Sequence, residues 1–150
     1  MNLALGLSDR PVYLATSRKW DADFEKRVKR HQGERDDRWE NWEEEKSIGQ
    51  LNISHRVVVM DCITLWLTNW FLDLEQDIDA CLQNAKKELE LLFDQDATLI
   101  IISNEIGMGV HAESHIGRKF VALQGWVNQF TAKRADKAIF MVSGLPVHIK

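Results

Sequence analysis

The chain has 150 residues and a mass of 17.4 kDa, enough for one domain with a sizeable core. Hydrophobic residues make up 45% and charged residues 28%, an ordinary globular composition that excludes collagen, coiled-coil arrays and disorder over the whole length. A net charge of −4 gives no basic field for nucleic acid, two cysteines make no disulfide framework and point to a cytoplasmic setting, and no apolar run reaches the roughly 18 residues of a membrane span.

Met1–Asp9 lacks a basic segment and a cleavage site, so it does not read as a signal peptide. Val12–Thr16 is the first apolar run and reads as a buried strand. Asp21–His31 follows as a charged helix with Phe24 and Val28 one turn apart. Glu34–Lys46 holds seven acids and three bases in thirteen positions, together with Trp39 and Trp42, and reads as a solvated loop or helix. Val57–Asp61 is a second strand. Thr64–Leu74 is apolar nearly all round, which predicts a helix buried in the core or between subunits. Asp77–Phe93 has a 3.6-residue stripe through Ile78, Cys81, Leu82, Ala85, Leu89 and Leu92. Thr98–Ser103 is a third strand, and His115–Lys133 a helix with basic residues at its end. Ala138–Ser143 reads as a fourth buried strand, and Val147–Ile149 as a short fifth after a turn at Gly144–Pro146. Continuous apolar strands alternating with helices predict one α/β domain over residues 1–150 with a mostly parallel sheet.

In such sheets ligands bind beyond the carboxyl ends of the strands. Those ends read Ala15-Thr16-Ser17, Asp61-Cys62, Ser103-Asn104-Glu105 and Ser143-Gly144. Asp61 closes an apolar strand, as does the Mg²⁺-supporting acid of nucleotide-hydrolysing folds, although an acid there also suits a helix cap. Gly107 and Gly109 lie on a loop between a strand and a helix, where backbone N–H groups reach phosphates or the chain merely turns. No G-x-x-x-x-G-K-[ST] occurs in the sequence. His31 stands among Arg27, Lys29, Arg30 and Arg35 and reads first as part of a charged surface; the alternative is that these cations favour a neutral imidazole and hold an incoming phosphate. His111 and His115 are four apart, but the pattern is not H-E-x-x-H and no third ligand stands out. Neither Ser17, Cys62 nor Ser103 sits in a nucleophile elbow.

Taken together, Tyr13-Leu-Ala-Thr-Ser17, Arg27-Val-Lys-Arg-His31, Val59-Met-Asp-Cys-Ile-Thr-Leu-Trp-Leu-Thr-Asn69, Ser103-Asn-Glu-Ile-Gly-Met-Gly109, Arg118-Lys-Phe120, Asn128-Gln129 and Val142-Ser-Gly-Leu-Pro146 form ordered blocks. In that order they resemble the bifunctional adenosylcobinamide kinase / adenosylcobinamide-phosphate guanylyltransferase family, from about Leu7 to Lys150. The resemblance implies a P-loop NTPase-like (RecA-like) sheet flanked by helices and a homotrimer. It implies phosphorylation of adenosylcobinamide by ATP or GTP, then GMP transfer from GTP through a guanylyl-histidine at His31. It further implies that Thr16, Ser17, Arg27, Asp61, Glu105, Gly107 and Gly109 bind nucleotide, with Mg²⁺ at Asp61, and that neither nucleic acid nor membrane is a partner.

Four departures from the family pattern stand out. The first strand and P-loop are missing before Asn2–Gly6, Ala112 replaces a proline, Val121–Ala122 replaces an Arg-Asp pair, and Trp126 replaces an arginine. The 150 residues by themselves are therefore expected to hold ATP or GTP poorly and to turn over slowly. The alternative is a loop-less, non-catalytic relative that binds corrinoid or nucleotide or forms oligomers.

Overall fold

The structure, a computed structural model, describes residues 1–18, 26, 30, 33 and 35–150. The expected helix at Asp21–His31 lies almost wholly outside the described residues. Strands β1 (Val12–Ala15), β2 (Glu40–Glu43), β3 (Val57–Asp61) and β4 (Thr98–Ile102) form a parallel sheet in the order β2-β1-β3-β4. Helices α1 (Asn2–Leu5), α2 (Ile63–Asp73), α3 (Ile78–Phe93) and α4 (His115–Arg134) flank it. Strands β5 (Ile139–Val142) and β6 (Leu145–His148) form a separate antiparallel pair.

Side-chain alternation along β1 and β3 divides the core in two. Val12, Leu14, Val58 and Met60 pack with Trp66, Leu67, Leu89, Leu92, Leu123 and Val127 of α2, α3 and α4. Tyr13 and Val59 turn to the opposite face and pack with Ala4 of α1 and with Trp39. Trp66 is fully buried, so α2 belongs to the core of the chain itself. Aromatic contacts fasten the helices: Phe71 of α2 meets Phe120 of α4 edge-on at 5.2 Å, and Phe93 of α3 stacks on Phe130 of α4 at 6.3 Å. Asp77 caps α3 by accepting from the Ala80 N–H at 3.0 Å, and Ser114 caps α4 by accepting from Gly117 at 2.9 Å.

Two sequence expectations are corrected. The charged tract is neither a loop nor a helix throughout, because Glu40–Glu43 adds an edge strand to β1. An edge strand is paired on one side only, so alternation around Trp42 suffices and an apolar run is unnecessary. The expected fourth parallel strand does not join the sheet. Ser143 (φ 51°) and Gly144 (φ 80°) place two successive left-handed residues between β5 and β6. That conformation closes a tight antiparallel hairpin, so the turn is Ser143–Gly144 and β6 begins at Leu145.

Candidate functional site

From β1 the chain moves outward to β2, then returns across β1 to β3 and on to β4. The connections leaving the carboxyl ends of β1 and β3 thus diverge, and a crevice opens between those two ends. Ala15 and Asp61 are register partners there, with Ile102 of β4 opposite Asp61 on its other side. The central position of β3 delivers Asp61 to this switch point.

Asp61 is half-buried. Tyr13 pairs with Val59, so Asp61, two residues further along β3, lies on the same face of the sheet as Tyr13. Ala15 stands directly opposite Asp61 with only a methyl group, which leaves room for the phenol. The Tyr13 hydroxyl donates to Asp61 Oδ2. Burial, then the bond to Asp61, pushes the phenol well above its usual range. Asp61 does not cap α2; Cys62 holds that position, without a side-chain cap bond.

Thr16 is fully buried. Its hydroxyl donates to the Cys62 carbonyl at 2.9 Å, its N–H donates to the Asp61 carbonyl at 3.1 Å, and its own carbonyl accepts from Asn69 Nδ2 at 2.8 Å. It joins the ends of β1 and β3. Ser17 is half-buried and lines an open hollow of about 580 Å³ with Arg18 and Glu43–Ser47, beside the ends of β1 and β2. Arg18 makes a two-pronged contact with Asp73, 2.9 Å in each prong, and Lys46 Nζ reaches the same carboxylate at 2.7 Å. Bonds from Arg18 and then Lys46 hold the Asp73 carboxyl well below the usual carboxylate range.

Beyond β4, Ser103, Asn104 and Glu105 are exposed at the strand end. Asn128 of α4 organises them: its Oδ1 accepts from the Ser103 hydroxyl at 2.6 Å, and its Nδ2 donates to the Asn104 carbonyl at 3.1 Å and to Glu105 Oε2 at 3.2 Å. Gln124, fully buried, donates to Ser103 Oγ at 2.8 Å. Asn104 Nδ2 donates to Thr64 Oγ1 at 3.0 Å, which ties the loop to the start of α2. Gly107 and Gly109 lie on and after the 3-10 turn Ile106–Met108. A Cβ added at either would approach its neighbours no closer than 3.4 Å, so the fold itself does not demand glycine there.

The structure therefore brings Thr16, Ser17, Asp61 and Glu105 to the ends of adjacent strands, with Gly107 and Gly109 on the loop that follows. Arg27 and His31 lie outside the described residues. His111 and His115 are exposed, and among the described residues no group of three His, Cys, Asp or Glu side chains is placed to hold a metal. Asp61 offers a single carboxylate, which does not build an all-protein cage. It does suit Mg²⁺, which keeps several waters and takes further ligands from phosphates. Sequence reasoning assigned no role to Tyr13, Asn69, Gln124 or Asn128. The available signal was a polar side chain within an otherwise apolar block, as at Tyr13 and Asn69.

Comparisons with known proteins agree with this architecture. The pattern of the cobinamide kinase / cobinamide phosphate guanyltransferase family matches residues 1–149. The chain is similar to the bifunctional adenosylcobalamin biosynthesis protein CobP of Pseudomonas aeruginosa, 33% identical over 143 residues, covering 92% of this chain and 81% of that protein. It is also similar to the bifunctional adenosylcobalamin biosynthesis protein CobU of Escherichia coli, 30% identical over 161 residues, covering 97% of this chain and 89% of that protein. The CobU of Salmonella typhimurium is 28% identical with the same coverage.

Proposed function

The chain belongs to the cobinamide kinase / cobinamide phosphate guanyltransferase family, and we propose that it serves cobalamin biosynthesis through that family's two reactions. In the first, ATP or GTP phosphorylates adenosylcobinamide. In the second, a His31 ring nitrogen attacks the α-phosphorus of GTP and pyrophosphate leaves, forming a phosphorus–nitrogen bond. A phosphate oxygen of adenosylcobinamide phosphate then attacks the same phosphorus and displaces the imidazole, which regains its neutral form.

The observation that supports this reading is topological: Asp61 ends β3 beside the end of β1 at the switch point, Ser17 follows β1, and Ser103–Glu105 follows the adjacent β4. We assign the nucleotide phosphates to that end of the sheet, with Ser17, Glu105 and the N–H groups around Gly107 and Gly109 alongside. Thr16 holds the crevice floor, since its hydroxyl is committed to the Cys62 carbonyl. Arg27, four residues before His31, is assigned to phosphate charge. Asp61 is the residue that would hold Mg²⁺, which when bound offsets charge on the phosphoryl oxygens. A cytoplasmic homotrimer, with neither nucleic acid nor membrane as partner, completes the proposal. Among the described residues no helix is long and apolar enough to cross a membrane.

Covalent labelling tests it. The 150 residues alone, which contain no G-x-x-x-x-G-K-[ST], should gain little GMP from GTP and Mg²⁺. Placed behind a relative's first strand and phosphate loop, they should gain one acid-labile GMP by intact mass, and His31→Ala should abolish it. An adduct that persists in the His31→Ala protein sinks the assignment.

A further inference from the structure

Tyr13 is the single tyrosine of the chain, and it is 7% exposed. A ring packed between β-strand and helix neighbours has no need of a hydroxyl; phenylalanine fills the same space. Among the described residues the hydroxyl has one partner, Asp61 Oδ2. The ring itself is held on two further sides. The Arg35 guanidinium lies over its face at 3.7 Å, and Trp39 meets it edge-on at 6.2 Å with an interplanar angle of 84°. Arg35 is fixed in turn by donating from Nε to Asn41 Oδ1 of β2 at 2.8 Å.

We propose that Tyr13 is a positioning residue, pinning Oδ2 of Asp61 so that Oδ1 is the oxygen offered to a divalent cation in the crevice. The inference rests on the reading of Asp61 given above. A free carboxylate rotates about its Cβ–Cγ bond and presents either oxygen. One strong donor removes that freedom, and hydrogen-bonded carboxylate ligands lose about tenfold or more in metal affinity when the donor is deleted. The ring is braced by Arg35, which follows His31 by four residues in sequence. Asp61 and Arg35 thus share one aromatic support.

Manganese serves as the probe, without nucleotide. Mn²⁺ should broaden the backbone amide signals of Asp61 and Thr16 in NMR spectra of the isotopically labelled chain, and Asp61→Asn should abolish the effect. Tyr13→Phe should raise the Mn²⁺ concentration for half-maximal broadening about tenfold, with an unchanged far-ultraviolet spectrum. If Asp61→Asn abolishes broadening and Tyr13→Phe leaves the midpoint unchanged, the positioning role is wrong while the reading of Asp61 stands. If the wild type shows no broadening, or Asp61→Asn retains it, the reading of Asp61 fails and the inference falls with it. A second measurement needs no change at position 13. The lone tyrosine's resonance Raman doublet should report a phenol donating to a carboxylate, and Asp61→Ala should shift it away from that strong-donor ratio. A doublet indifferent to Asp61→Ala overturns the proposal.

Discussion

The backbone of Gly49 lies against Glu88 of α3: its N–H donates to Glu88 Oε2 at 2.9 Å, and a Cβ there would stand 2.7 Å from the Glu88 carbonyl oxygen. The Leu91 Cβ would be equally close. This contact seats the 3-10 turn Ile48–Gln50, and with it the fully buried Ile48, on the helix.

Gly49→Ala is therefore expected to push the turn off α3 and cost on the order of 1–3 kcal/mol. Urea unfolding should show a lower midpoint with an unchanged slope. An unaltered midpoint would mean that the turn yields freely.

Asn69 bridges the segments that follow β1 and β2. Its Nδ2 donates to the carbonyls of Thr16 at 2.8 Å and Glu45 at 2.9 Å. Asn69→Ala leaves both acceptors without that donor, a loss of about 1–3 kcal/mol. Hydrogen exchange should accelerate first at Thr16–Arg18 and Glu45–Ser47, and global exchange without local loosening would contradict the bridging role.

The Arg18–Asp73–Lys46 cluster sets an acid limb. Asp73 titrates lower folded than unfolded, so its contribution is present above its ordinary value near 4 and is lost as pH falls through the lowered folded value. Thermal melts between pH 6 and pH 2 should fall less steeply for Asp73→Asn than for the wild type. Parallel curves would show that the cluster adds nothing to stability.

Cys62 and Cys81 are both buried. Burial pushes the Cys81 thiol up to about 11 and raises that of Cys62 as well. Both stay neutral at pH 8, where neither should react with a thiol reagent in the native protein, and both should react in denaturant. Rapid native labelling of either would contradict the packing around α2 and α3.

Glu105 accepts from Asn128, so it is held by α4 as well as by its own loop. In protein competent for both reactions, Glu105→Ala is expected to lower each rate about tenfold. Activity unchanged in both would remove Glu105 from the site.

The parts legible in the sequence were those with an uninterrupted apolar pattern, although Thr98–Ile102, at the sheet edge, is only partly buried. The strands at Val57–Asp61 and Thr98–Ile102 and the helix Ile78–Phe93 follow directly from apolar runs and a 3.6-residue stripe. Glu40–Glu43 was illegible because its strand is defined by pairing with Val12–Ala15, a partner distant in sequence. Ile139–Val142 misled because an apolar run does not reveal which strand it meets; the left-handed pair Ser143–Gly144 decides that. Asp61 was found from the end of its own strand. Tyr13 was not, because its relation to Asp61 exists only once β1 and β3 are in register.

The central position of β1 also has a kinetic consequence. Leu14 is flanked by Trp42 on one side and Met60 on the other, both reached only after long excursions of chain. The hairpin of β5 and β6 closes between near neighbours, so it is expected to form within microseconds of dilution from denaturant. The parallel sheet must wait for loop closure, and its signals should appear later, with β1 and β3 acquiring protection together. The crevice between them comes into being only at that step. Until Ala15 and Asp61 are side by side, a refolding molecule has secondary structure but none of the crevice, and the Tyr13–Asp61 contact should appear with the slow phase alone.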